Sequence, residues 1–213
     1  MSAAPALESV AGRRVLFVMA ARAEYGAALQ ARIRPLFTGI GPIEAAMEAS
    51  VAMTCLQAAK TLPDLVVSLG SAGSRVLEQG RIYQASSVSW RDIDASPLGF
   101  TKGVTPLVDH PIETPLPTLL PDVASARLST GAAVVTGAGY DAIDAEMVDM
   151  ETFAILRVAQ RFAVPLIGLR GISDGAAELR HYDDWAHLLP VVDAGLADAV
   201  ERLAAALAAA SAS

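Results

Sequence analysis

The sequence predicts an α/β protein folded as a single domain, and three observations carry that expectation. The chain has 213 residues, a length suited to one domain with a sizeable core. Its hydrophobic fraction is 53%, which argues for a well-buried fold and against disorder. The apolar run Leu166-Ile167-Gly168-Leu169 follows a helix-breaking Val164-Pro165 and leads into polar Arg170, Ser173 and Asp174. A short continuous apolar run suits a strand buried on both faces, as in a parallel sheet. Open α/β sheets bind their ligands beyond the carboxyl ends of such strands.

Each element can be justified in order. Residues 1–13 read as a loose N-terminal tail. Val15-Leu16-Phe17-Val18-Met19 is the first strand. A helix is expected from Glu24 to about Ile33, with the glutamate favoured in its first turn by the macrodipole. Pro42 opens a helix to about Ala59, since proline suits the first helical position. Residues 65–69 form the next strand, closed by the glycine turn 70–73. Residues 82–90 form another, and the proline-rich stretch 104–121 reads as loop, with His110 on the surface. A short strand is expected over 132–137. A mostly buried helix follows over 148–159, with Glu151 inside it. A carboxylate there is costly to bury without a partner. On the residues alone, Glu151 reads equally well as an ion-pair partner of Arg170 or as a site carboxylate. An amphipathic helix over 189–207 closes the domain, and residues 208–213 form a second tail.

Composition excludes several classes. The formal net charge is −7 and no basic run occurs, which argues against nucleic acid as a partner. No apolar run approaches a membrane span, and no signal-peptide pattern opens the chain, so a cytoplasmic location is the expectation. Cys55 is the only cysteine; it excludes an intramolecular disulfide and is expected to be a core thiol. His181, Asp183, Asp184 and His187 cluster in sequence, but Asp183-Asp184 are more simply the start of a helix than metal ligands.

Val148-Asp149-Met150-Glu151 and Arg170-Gly171-Ile172-Ser173-Asp174 also resemble the V-E-M-E and R-A-I-S-D segments of 5'-methylthioadenosine/S-adenosylhomocysteine nucleosidases, within the nucleoside phosphorylase superfamily. Gly39-Ile40-Gly41, Gly70-Ser71-Ala72-Gly73, Gln79-Gly80-Arg81-Ile82 and Gly137-Ala138-Gly139-Tyr140 extend the likeness in the same order, over roughly residues 14–207. Two departures stand out. There is too little chain before Gly39 for the family's strand hairpin, and Glu24 is the only acidic residue in the loop just after the first strand.

The resemblance implies a three-layer fold with a central mixed, twisted sheet flanked by helices. It implies hydrolysis of the N-glycosidic bond of a small-molecule nucleoside, with no cofactor and no metal, in a homodimer. It would make Glu24 the base that activates water and Asp174 the acid that protonates the leaving adenine. Glu151 would bind the ribose hydroxyls, Ser71 would lie near the ribose, Met150 would pack on sugar and base, and Tyr140 would stack on the purine. Arg170 would orient a site carboxylate and Ser173 would support the loop. Two alternatives stand beside this reading. One is a phosphate-dependent nucleoside phosphorylase, for which Arg22 is the candidate phosphate ligand. The other is a non-catalytic nucleoside-binding protein.

Overall fold

The computed structural model describes residues 5–211. Nine strands form one mixed sheet: β1 (Glu8–Val10), β2 (Arg13–Met19), β3 (Leu36–Phe37), β4 (Leu65–Gly73), β5 (Ile82–Trp90), β6 (Glu113–Pro115), β7 (Ser125–Thr130), β8 (Met147–Asp149) and β9 (Leu166–Asp174). Five helices accompany them: α1 (Ala27–Gln30), α2 (Pro42–Ala58), α3 (Thr152–Arg161), α4 (Tyr182–Ala186) and α5 (Leu189–Ser211). β2, β4 and β9 run parallel side by side, and β5 pairs antiparallel with the far side of β9. β5 continues in parallel to β7, and β7 to β8. β8 then returns to β4 through the antiparallel pair Gly73–Val148, so five strands close into a ring.

Side-chain alternation builds the layers. Leu16, Val18, Val66 and Leu166 face α2 and α3, where Ala45, Ala49, Met53 and Leu156 complete one core. Val15, Phe17, Val67 and Ile167 face the opposite way, onto Leu29 and onto Val192, Leu196 and Leu203 of α5. Neighbouring residues of one strand thus enter different cores, as the two-residue period requires. β9 is buried along its whole length. α5 lies so close to it that a Cβ on Gly171 would come within 2.5 Å of Val192 Cγ1.

Several expectations are corrected. The N-terminal tail is shorter than residues 1–13, because Glu8–Val10 already pairs with β2. The last helix continues to Ser211, past the expected boundary at 207. Residues 1–4 and 212–213 of the two expected tails lie outside the described residues. The helix expected from Glu24 to Ile33 is only a 3-10 turn, Arg22–Glu24, followed by the single turn of α1. The strand expected over 132–137 is not one: those residues form an irregular segment and a 3-10 turn after β7, which holds the ladder place instead. Cys55 points out of α2 and is exposed, not a core thiol. Among the described residues, no helix is long and apolar enough to cross a membrane.

Candidate active site

A cavity of about 450 Å³ opens at the carboxyl ends of β2, β4, β8 and β9. Its lining brings together Glu24, Ser71, Met150, Glu151 and Asp174 from the expected set. Three of these are carboxylates that are at least nine-tenths buried, which water-filled surface grooves do not require.

Glu24 reaches the cavity because the chain leaves β2 in the tight turn Arg22–Glu24. One of its carboxylate oxygens, Oε1, accepts both the Ser71 backbone N–H at 2.7 Å and the Ser71 hydroxyl at 2.6 Å. The other, Oε2, receives only a long contact of 3.4 Å from Ala21 N–H.

Glu151 is not inside a helix. It is the N-cap of α3, its carbonyl accepting the Ile155 N–H at 3.1 Å. Its carboxylate accepts the Gly41 N–H at 2.8 Å, and Gly41 can aim that group only from a φ of +99°, which favours glycine. Burial, and next the negative charge of Asp149, push Glu151 up to about 7. The Gly41 hydrogen bond and the positive Arg170 oppose this rise.

The ion pair considered for Glu151 belongs to Asp149 instead. Arg170 is 2% exposed and its Nη2 lies 3.0 Å from Asp149 Oδ2. The rest of its guanidinium is spent on Ser68 O at 3.0 Å, Ser68 Oγ at 2.8 Å and Thr152 Oγ1 at 2.6 Å. Asp149 also accepts the Thr130 hydroxyl at 2.6 Å and the Thr152 N–H at 3.0 Å, while the Thr152 hydroxyl donates to it as well. A buried ion pair holds only when its remaining donors and acceptors are satisfied. Here they are, and the network fixes the junction from which Met150 and Glu151 project. Arg170 therefore orients a carboxylate at the cavity, but it does not line the cavity itself.

Asp174 ends β9 and is 8% exposed. Its Oδ2 accepts the Ser173 hydroxyl at 2.7 Å. Burial raises its pKa, and the Ser173 hydrogen bond pulls the other way. Ser173 thus holds the Asp174 carboxyl by a direct hydrogen bond.

Tyr140 does not line the cavity. It is buried under Arg75, whose guanidinium lies 5.3 Å from the ring centroid, and its hydroxyl reaches toward Gly73 and Gly175 behind Asp174. The wall expected from Tyr140 is supplied by Ala133, Val134 and Val135, the segment directly after β7. Arg91 staples that wall, donating to Ser129 O at 2.5 Å, Asp149 O at 3.1 Å and Ala133 O at 2.8 Å. On the open side, α4 and the turn before it contribute Arg180, His181, Tyr182 and Trp185. None of these was singled out as a nucleoside contact from the sequence; only the aromatic pair beside a candidate loop was a usable signal. Asp184 accepts the Arg180 and His181 N–H groups at 2.7 and 2.9 Å, so it caps α4 as the simpler reading of that cluster requires. Among the described residues, no group of three or more His, Cys, Asp and Glu is placed to hold a metal ion.

Residues 129–212 match the family model described as the phosphorylase superfamily. A 5'-methylthioadenosine/S-adenosylhomocysteine nucleosidase of Baumannia cicadellinicola is 28% identical over 176 residues, covering 73% of this chain and 73% of that protein. A solved structure under the same nucleosidase name, from Colwellia psychrerythraea 34H in complex with adenine, has a TM-score of 0.77 at 19% identity, covering 94% of this chain and 97% of that one. The native futalosine hydrolase of Helicobacter pylori strain 26695 gives a TM-score of 0.74 at 19% identity, with 89% and 96% covered. The C-terminal part of the chain is thus similar to the phosphorylase superfamily, and these curated relatives, at 26–28% identity, are 5'-methylthioadenosine/S-adenosylhomocysteine nucleosidases.

Proposed function

We propose that this enzyme hydrolyses the N-glycosidic bond of 5'-substituted adenosines of the methylthioadenosine and S-adenosylhomocysteine type, releasing adenine. The observation that carries the reading is the convergence of Glu24, Glu151 and Asp174 on one cavity, where burial raises the pKa of both Glu151 and Asp174. Separated carboxylate roles are what glycoside-type hydrolysis needs.

The bond from the sugar carbon to the base breaks through a cationic, oxocarbenium-like transition state. Its electron pair leaves with adenine, and Asp174 delivers a proton to N7 of the departing base. Burial raises its pKa, which favours the protonated form that such a step needs. A water adds to the sugar carbon and gives its proton to Glu24, whose less occupied Oε2 is the accepting atom. Glu151 accepts hydrogen bonds from the ribose hydroxyls and its charge steadies the cationic sugar. Met150 covers the sugar, and the aliphatic segment 133–135 covers the base.

Phosphorolysis is less well supported. The Arg22 guanidinium lies 4.4 Å from the Phe37 ring centroid and is absent from the cavity lining. Adenine release measured with and without phosphate separates the two: equal rates are expected. A strict requirement for phosphate sinks the hydrolytic reading, and ligand binding without any adenine release favours the non-catalytic one.

The working unit is a homodimer built on α2. Ile43, Met47 and Val51 recur at helical spacing on its outer face and are 71%, 57% and 53% exposed. Contiguous apolar surface of that kind marks an interface. Ile40, 59% exposed, belongs to both this face and the cavity rim, so a second copy seated here would also complete the site. Light scattering should give twice the chain mass at micromolar concentration; a monomer would reject the dimer.

A further inference from the structure

The Trp185 side chain is the one aromatic group of the open side that is hydrogen-bonded into the catalytic floor. Its indole Nε1–H donates to Ser71 Oγ at 2.9 Å. An indole N–H has no acceptor function, so the direction of that bond is fixed. A serine hydroxyl carries a single hydrogen. With its oxygen accepting from Trp185, that hydrogen points to Glu24 Oε1, 2.6 Å away. The Ser71 backbone N–H reaches the same oxygen at 2.7 Å. Oε1 is thereby saturated, while Oε2 has only the 3.4 Å contact from Ala21.

We propose that Trp185 is a positioning residue for Glu24, acting through the Ser71 hydroxyl. The indole holds the hydroxyl in the rotamer that donates to Oε1 and leaves Oε2 to take the proton of the water. Because Trp185 sits on α4, over the open side of the cavity, the base is fully set only when α4 is docked. Tyr182, edge-on to Trp185 with ring centroids 5.2 Å apart, holds the indole from the solvent side. The proposal rests on the assignment of Glu24 as the base.

The test is Trp185→Phe, which keeps an aromatic ring and removes the N–H. Losing one hydrogen bond that feeds a carboxylate corresponds to a fall in kcat of roughly 5–10-fold, with KM changed by less than about twofold. Released from the indole, the Ser71 hydroxyl is no longer held on Oε1, so Ser71→Ala alone should lower kcat by at least as much. In a Ser71→Ala background Trp185→Phe should have almost no further effect. An unchanged kcat, a rise in KM in place of the fall in kcat, or an equal fall in the Ser71→Ala background overturns the proposal. Should Trp185→Phe fold poorly, the wild-type indole N–H resonance serves instead: it should shift in Ser71→Ala, and an unchanged resonance is fatal to the idea. Glu24→Gln separates the two layers. If it retains activity, the base assignment fails; if it is inactive while Trp185→Phe is normal, only the role of Trp185 fails.

Discussion

Replacing Asp174 with asparagine removes one ionisable proton from the cavity and leaves the side-chain shape in place. The Ser173 hydroxyl, 2.7 Å from Oδ2, can still donate to an amide oxygen, so the turn at the end of β9 should persist. What is lost is the transferable proton. An adenine anion is a poor leaving group, and general acid catalysis typically contributes about 10²–10⁴-fold, or roughly 3–5 kcal/mol. The buried setting of Asp174, 8% exposed, gives no bulk water to substitute as the donor, so a loss of at least about 10²-fold in kcat is expected. Binding of substrate should be largely retained. The pH profile adds a second readout. The acid works protonated, so activity falls as pH rises through its elevated pKa, and that alkaline limb should disappear in the variant. The assay is adenine release by both proteins over a pH series, with Tm measured alongside. Near-normal turnover by a folded asparagine variant would refute the reasoning and leave Asp174 as a structural residue of the loop.

Three further variants have definite expected outcomes. Glu151→Gln should lower turnover and weaken ribose recognition while the fold stands; an equal fall on 2',3'-dideoxy nucleosides would contradict the ribose contact. The same variant should also flatten a pH dependence of stability. Glu151 rises from 4.5 to about 7 on folding, so its own contribution to stability is greatest below 4.5, falls up to pH 7 by at most about 3 kcal/mol, and is level above. The glutamine variant should therefore melt higher than wild type at pH 8, and a lower Tm there would contradict the burial argument. Asp193→Ala should cost about 2–4 kcal/mol, because its carboxylate accepts the N–H groups of Gly26, Ala28 and Leu29 at 3.0, 2.9 and 3.1 Å; the urea midpoint should drop with an unchanged slope. Tyr140→Phe removes a buried hydroxyl that has no hydrogen-bond partner, so Tm should hold or rise by up to about 4 °C and turnover should stay within about twofold, whereas a marked loss would restore Tyr140 to the site.

The parts of the site legible in the sequence lie at ends of strongly apolar strands. Ser71 and Asp174 each follow a run that could be nothing but buried, and Glu24 sits in the short loop after another. The fold class followed from the same runs. The base-side wall was not legible, because β7 reads SARLST, with polar residues at Ser125, Arg127, Ser129 and Thr130. Two of those polar side chains are satisfied by tertiary partners: Arg127 binds Asp144 and Glu146, and Thr130 binds Asp149. The apolar residues 133–135 just beyond it imitate a strand but are apolar because they face a cavity. Glu151 was misplaced for a related reason. The Asp149 carboxylate binds the Thr152 N–H three residues on, a helix-start signal that was present ahead of the apolar run. The contribution of Trp185 depends on a contact across 114 positions of sequence and has no local signature.

The position of β9 has a consequence for how the chain is made. It is the last strand to be synthesised, yet it lies between β4 and β5. On the ribosome, β4 therefore emerges with a long apolar edge whose backbone groups await a partner still to be translated. The intervening residues, 74–165, take roughly 5–20 s at about 5–20 residues per second. An unpaired edge of that kind is a template for pairing with other chains. The interval in which that edge lies open is thus written into the strand order, and it closes only once β9 is available to pair.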